Sequence, residues 1–301
     1  MSLNSVNTNL GAMVALQSLN RTNEEMAATQ KRISTGSRVA DARDDGAAFA
    51  VAERIRGDLA ATTSATQQLG GAKGLLDTTR TGLENVSKAL QDVKATVVKL
   101  SDSNITPAQR EQYMAGLKET FSQIANFITD TRYNGQSMLV TAAAATAGGT
   151  TLGEIRTVRN GEGATYSFAK IATAAINGAA DFTALTGVGY NGATMLTGAS
   201  LLAAISDFSS ALTTGGAVNV AINNTLTSLN NLGSYSRYVD SQINFNKAKM
   251  DAQEAGMGAL IDADLAKESA RLQSLQIRQQ LGSQALGIAN QAPQVLLSLF
   301  R

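Results

Sequence analysis

Cysteine, histidine and tryptophan are all absent from this chain, and proline occurs only twice. Without thiols or imidazoles there is no disulfide, no thiol nucleophile, no Cys or His zinc site and no histidine acid/base catalysis. Carboxylate, Lys, Tyr or Ser chemistry is what remains for any reaction. A chain free of Cys suits either side of a redox boundary and names no compartment. Aromatic residues are only 5%, so a core filled by large rings is not expected, and seams of Leu, Val, Ile, Met and Ala must do the burying. Pro107 and Pro293 fall at plausible helix boundaries, as a chain of long uninterrupted helices requires.

Charge is missing too, but only at the ends. The 25 basic and 24 acidic residues nearly cancel, so nothing here argues for nucleic acid or an acidic membrane surface. Residues 1–20 carry no charge, and neither do residues 279–300. In the first stretch Leu3, Val6, Leu10 and Met13 recur at 3-4-3 spacing, and in the last Leu281, Ala285 and Ile288 recur at 4-3, a narrow seam of the coiled-coil kind at each end. Interspersed Asn and Gln make both stretches too polar for a bilayer. An uncharged, half-apolar helix alone in water is marginally stable and prone to associate, so the chain reads as a building block. The first residues show no basic segment followed by an apolar core and a small-residue cleavage site, so a cleaved Sec-type signal is not expected.

Between the ends the apolar spacing predicts long helices. After a one-residue phase slip Leu16, Leu19, Asn23, Met26, Gln30 and Ile33 continue the first seam up to Thr35-Gly36-Ser37, where a helix should stop, and a polar link over residues 41–46 follows. Leu69, Ala72, Leu76, Thr79, Leu83, Val86, Leu90, Val93, Val97 and Leu100 then keep a strict seven-residue repeat. A helix from about Ala47 to Leu100 would be on the order of 80 Å long and needs other helices alongside. Thr106, Pro107 and Gln109 form a helix start with a capping box, and Met114, Leu117, Phe121, Ile124 and Ile128 give the next seam, which Asn134-Gly135 should end. Ile222 to Met250 supplies another rod.

Residues 140–217 change to Ala, Gly and Thr with few charges. Short strands are expected at Glu154 to Thr157 and Tyr166 to Ile171 around Asn160-Gly161, and a short helix from Leu201 to Leu212. The expected fold is therefore mainly α, with long antiparallel helical rods in a coiled-coil-like bundle formed by both chain ends and a short Ala/Gly/Thr-rich insertion containing minor β.

Candidate chemistry is sparse. Gly187 to Gly192 spells G-x-G-x-x-G with Asp207 twenty residues on, but Asp181 to Thr186 is short for the strand a dinucleotide site needs before the glycines and Asp207 falls inside an expected helix, so a glycine-rich loop is the better reading. Asp44-Asp45 and Asp262/Asp264 invite a divalent metal, yet no Asp/Asn-rich loop with a closing Glu surrounds either pair, and helix capping and ion pairing explain them. No cofactor, metal site or catalytic residue is expected.

Both flanks carry a resemblance. Ser5-Val6-Asn7-Thr8-Asn9, then Arg32-Ile33-Ser34-Thr35-Gly36-Ser37-Arg38, then Asp44-Asp45-Gly46-Ala47-Ala48, follow the order and spacing of motifs of the bacterial flagellins. Ile261-Asp262-Ala263-Asp264 and the run from Ile288 through Asn290, Pro293 and Leu296 to Leu299 resemble that family's ending. The resemblance implies a non-enzymatic structural subunit that polymerises into the flagellar filament outside the cell. Its expected parts are an inner-tube domain from residues 1–43 and 256–301, a rod domain from 44–140 and 218–255, and a variable surface segment at 141–217.

The polymerisation residues it implies are Leu3, Val6, Leu10, Met13, Leu16, Leu19, Arg32, Ile33, Gly36, Asp44, Asp45, Leu281, Ala285, Ile288, Asn290, Pro293, Leu296 and Leu299. Expected partners are other flagellin subunits, hook-associated and cap proteins, an export chaperone and the flagellar type III export apparatus. Gln91, Asp92, Val93, Lys94 and Val97 stand where some flagellins are read by the innate immune receptor TLR5. Asp92 replaces the usual Arg, a reversal of charge that predicts weak or absent recognition. Two other readings are a hook–filament junction protein, which shares similar ends, and an enzyme carried in the middle segment, which the missing His and HExxH motif disfavour.

Overall fold

Helix starts and stops in the computed structural model follow local chemistry. The structure describes residues 9–140, 153–173, 206–213 and 216–299, with side chains as far as Gln291. Helix α1 spans Leu10–Thr35 and ends on Gly36, whose φ of 70° is left-handed, a conformation open to glycine without steric cost. Helix α2 spans Gly46–Leu100. Helix α3, Pro107–Asp130, begins with the expected capping box between Thr106 and Gln109. It stops four residues before Asn134, because the Thr131 amide closes the last turn on Phe127 O; Asn134 and Gly135, both at positive φ, form a separate turn.

The strands are short. β1 (Leu139–Val140) pairs in parallel with β4 (Ile171–Ala172), and β2 (Glu154–Val158) pairs antiparallel with β3 (Thr165–Ala169). Of the helix expected at 201–212, residues 206–211 are helical and 201–205 lie outside the described residues, as does the glycine motif at 187–192. Helices α4 (Ala217–Ile261) and α5 (Leu265–Leu299) complete the chain.

Contacts divide these elements into two units. One comprises residues 1–59 and 250–301, the other residues 60–249. In the second unit, nine of the ten heptad positions of α2 are buried and Ala72 packs half-buried against them. Leu117, Ile124 and Ile128 of α3 and Val218, Leu232 and Val239 of α4 belong to the same core. Each fully buried Leu or Val contributes about 1.5–3 kcal/mol.

Glycines in α2 make room for the segment after α3. A Cβ at Gly82 would overlap the Thr131 side chain, and one at Gly74 would lie 2.8 Å from the Tyr133 ring. Arg110, buried at the start of α3, donates to Leu100 O at 2.6 Å, a carbonyl that the end of α2 leaves free, and to Asp102 O at 2.9 Å in the loop that follows.

The β2–β3 hairpin packs onto the helices through an aromatic cluster. Tyr166 stacks on Tyr238 with ring centres 4.0 Å apart, and Phe168 meets Tyr235 edge to face. At the hairpin tip a Cβ on Gly161 would come within 3.1 Å of the Thr62 amide nitrogen. Asn246, fully buried, donates to Arg159 O at 3.0 Å and accepts from Gln242 at 3.0 Å, so both ends of its amide are satisfied.

Candidate functional site

The first unit gathers the two charge-poor ends of the chain. Asn9 begins the arrangement: its side-chain oxygen accepts from the Ala12 amide at 3.0 Å, capping α1, while its side-chain nitrogen donates to Ala289 O at 2.7 Å in α5. Farther along α1, Gln279 donates to Asn23 at 2.9 Å and Arg32 lies 3.4 Å from Glu268. At the helix end Ser37 bridges Asp262, and Ala263 N donates to Gly36 O at 2.9 Å. Partners advance along α1 as they retreat along α5, so the two helices are antiparallel.

The acidic pairs hold turns. Asp45 Oδ1 accepts from the amides of Ala47 and Ala48, and Asp264 Oδ1 from those of Ala266 and Lys267, at the starts of α2 and α5. Asp44 Oδ2 accepts from the Ala40 and Asp41 amides and from Lys31 at 3.0 Å, and Lys31 also donates to Asp41 at 2.8 Å. These hydrogen bonds, Lys31 first, hold the Asp41 and Asp44 carboxyls below their ordinary values and raise the Lys31 ammonium above its own. Val39, Ala52 and Ile261 form a small buried cluster beside this loop.

The seam that joins α1 to α5 mixes small and larger residues. On α1 it runs Ala12, Ala15, Leu19, Thr22, Met26, Thr29 and Ile33, and on α5 Leu272, Leu275, Gln279, Gly282, Leu286 and Ala289, all buried or half-buried at alternating spacings of three and four. Gly282 faces Leu19 so closely that an added Cβ would lie 3.3 Å from Leu19 Cδ1. Among the polar seam residues the fit is not complete: Glu268 is buried, yet its Oε2 has no hydrogen-bond partner.

A second set of large apolar side chains points the other way. Leu10, Met13, Val14 and Leu16 on α1, and Ile277, Leu281 and Ile288 on α5, are all exposed, Met13 at 61% and Ile288 at 70%. The expected seam of Leu281, Ala285 and Ile288 is therefore the outer face of α5, and Leu10, Met13 and Leu16 are the outer face of α1. Leu19 and Ile33 lie in the pairing seam, Asn23 flanks it, and Gln30 is exposed. The face that pairs the helices is a separate stripe, and the 3-4-3 recurrence of Ala12, Ala15, Leu19 and Thr22 on α1 was its signal in the sequence.

Of the remaining expected interface residues, Arg32, Gly36, Asp44 and Asp45 serve pairing and capping within the subunit, and Asn290 is exposed. Leu3 and Val6, and the side chains of Pro293, Leu296 and Leu299, lie outside the described residues. In the expected immune-receptor segment Gln91, Asp92 and Lys94 are exposed, whereas Val93 and Val97 are fully buried. They are heptad positions of α2, so that pair is core and not surface.

This chain matches the family model for the bacterial flagellin N-terminal helical region over residues 6–144 and that for the C-terminal helical region over residues 216–300. It is 34% identical to flagellin FljK of Caulobacter vibrioides over 301 residues, covering all of both chains. Identity to a flagellin of Brucella melitensis is 32%, over 99% of each chain. Flagellin C of Rhizobium meliloti is 30% identical over 99% of this chain and all of its own. Among solved structures, a flagellar hook-associated protein of Vibrio parahaemolyticus is similar in fold, with a TM-score of 0.57 and 14% identity over 73% of this chain and all of that one.

Proposed function

The chain belongs to the bacterial flagellins, structural subunits of the extracellular flagellar filament, and we propose that its paired α1 and α5 helices are the part that polymerises. The outer face carries the proposal. Exposed aliphatics on two adjacent helices, in segments almost free of charge, form a surface that water does not favour. Burial against the same face of neighbouring copies removes it from water, and the partner is a second copy of this chain. Leu3, Val6, Pro293, Leu296 and Leu299 extend this interface in the proposal.

Subunits leave the cell unfolded through the flagellar type III export apparatus, with a chaperone holding the C-terminal region, and meet cap and hook-associated proteins at the filament tip. The antiparallel pairing supports this order of events: its contacts join residues nearly the whole chain apart and form only once both ends have emerged. The exposed carboxylate of Asp92 supports weak or absent binding to the immune receptor, with a receptor reporter assay as its measure.

The test is seeded growth followed by electron microscopy. The double substitution Leu281→Asp and Ile288→Asp, on exposed positions, should leave the helix content of the soluble subunit unchanged and abolish filament elongation. A chain lacking residues 1–20 should fail likewise. Normal filaments from either chain would refute the proposal.

A further inference from the structure

The residue types that peroxides attack most readily beside methionine are missing here: the chain has no cysteine and no tryptophan. Oxidant reactivity therefore falls on the methionines, and the fold ranks them. Met138 is fully buried; Met26, Met114, Met250 and Met257 are half-buried; Met13 alone among the described methionines is exposed. It sits between Leu10 and Val14 on the outer face of α1, opposite the seam to α5.

We propose that Met13 is a reversible oxidation site that gates assembly, a reading that rests on the outer face being the polymerisation interface. The thioether sulfur attacks one oxygen of hydrogen peroxide, the O–O bond breaks, and water leaves. Sulfur is oxidised to the sulfoxide and peroxide is reduced. The product replaces a flexible apolar side chain with a polar S=O at the centre of the exposed stripe, where burial against a neighbouring subunit would desolvate it without a partner. Because Met13 lies outside the α1–α5 seam, the oxidised subunit keeps its own fold and loses only its competence to join. Once a subunit is incorporated, the same contacts shield the sulfur, so free subunits are the vulnerable form and filaments are protected.

The experiment exposes full-length soluble subunit, and separately filaments, to hydrogen peroxide and follows each methionine by peptide mass spectrometry. Met1 and Met195, outside the described residues, are resolved in the same digest. In soluble subunit Met13 should oxidise at least about tenfold faster than Met138, and in filaments its rate should fall by a similar factor. Oxidised subunit should keep its helix content, fail to extend seeds, and regain growth after treatment with methionine sulfoxide reductase. For Met13→Leu, seed growth should be the same with and without peroxide, whatever its growth relative to the native chain. Equal rates at Met13 and Met138, normal growth of Met13-oxidised subunit, or loss of assembly by peroxide-treated Met13→Leu would each overturn the proposal. Should Met13→Leu itself not assemble, the reductase rescue of the native chain decides. Normal growth by the Leu281→Asp, Ile288→Asp chain would instead mean that the interface reading is at fault.

Discussion

The side-chain amide of Gln279 donates to the side-chain oxygen of Asn23 at 2.9 Å, joining residues 256 apart in sequence inside the seam between α1 and α5. A polar pair in an otherwise small and aliphatic seam costs stability and fixes register, since any shift by one turn parts the two amides. Gln279→Leu should cost about 1–2 kcal/mol of pairing, because Asn23 loses its partner while half-buried. Asn23→Leu combined with Gln279→Leu should restore the stability but not the unique register. Hydrogen exchange of α5 amides reads the first effect, and cysteine cross-linking across the seam in introduced pairs reads the second.

Gly282 sets how near the two helices approach. Its added methyl would press on a flexible Leu19 terminus at 3.3 Å, and alanine gains roughly 0.8–1.0 kcal/mol of helix propensity over glycine. Gly282→Ala is therefore expected to be close to neutral. Gly282→Val adds branches that Leu19 cannot clear, and α5 amides should then exchange faster while helix content in the second unit is retained.

Gly82 has no such latitude. Its Cβ would overlap Thr131 Oγ1 and lie 2.8 Å from Cγ2, so Gly82→Ala should destabilise the second unit by about 1–3 kcal/mol as an overpacked site. Adding Thr131→Ala removes both offending atoms and should recover most of the loss. The midpoint of chemical denaturation measures both.

The Lys31 contacts predict a pH dependence with two limits. The carboxyls of Asp41 and Asp44 are held below their ordinary value of 3.8, so their stabilising contribution is complete above that value and is lost as pH falls through the depressed range beneath it. Lys31 is raised above 10.5, so its contribution is complete below that value and is lost as pH rises through the elevated range. The groups are solvent-exposed, so the effect is local and weakened by salt. In Lys31→Met the Ala40 and Asp41 amides should exchange faster at neutral pH, and the difference from the native chain should disappear at both extremes.

Large side chains at regular spacing made much of the second unit legible in sequence. Leu69 through Leu100 announced a buried stripe, and Thr106-Pro107-x-Gln109 announced a helix start, because each rests on local geometry. The β2–β3 hairpin was legible as two strands around Asn160-Gly161, but not its docking: Asn246 is polar, and only the fold brings the Arg159 carbonyl to it. In the candidate site, motif order and missing charge pointed to the right helices, and large aliphatics marked their outer face but not the face that pairs them. Ala12, Ala15 and Gly282 carry little hydrophobic signal individually; their value lies in the absence of bulk, which matters only once another helix is beside them. Val93 and Val97 stood both in the seven-residue repeat and in the expected immune-receptor segment, and the repeat gave their place, since a run of adjacent residues on a helix always contains some that face inward.

Asn9 and Ala289 meet across 280 positions of sequence. A subunit shortened at either terminus keeps one helix of this pair with no counterpart, whatever the state of the rest of its fold. Filament growth that depends on the pair thus inspects the integrity of each arriving molecule, rejecting fragments by a contact that neither half can imitate.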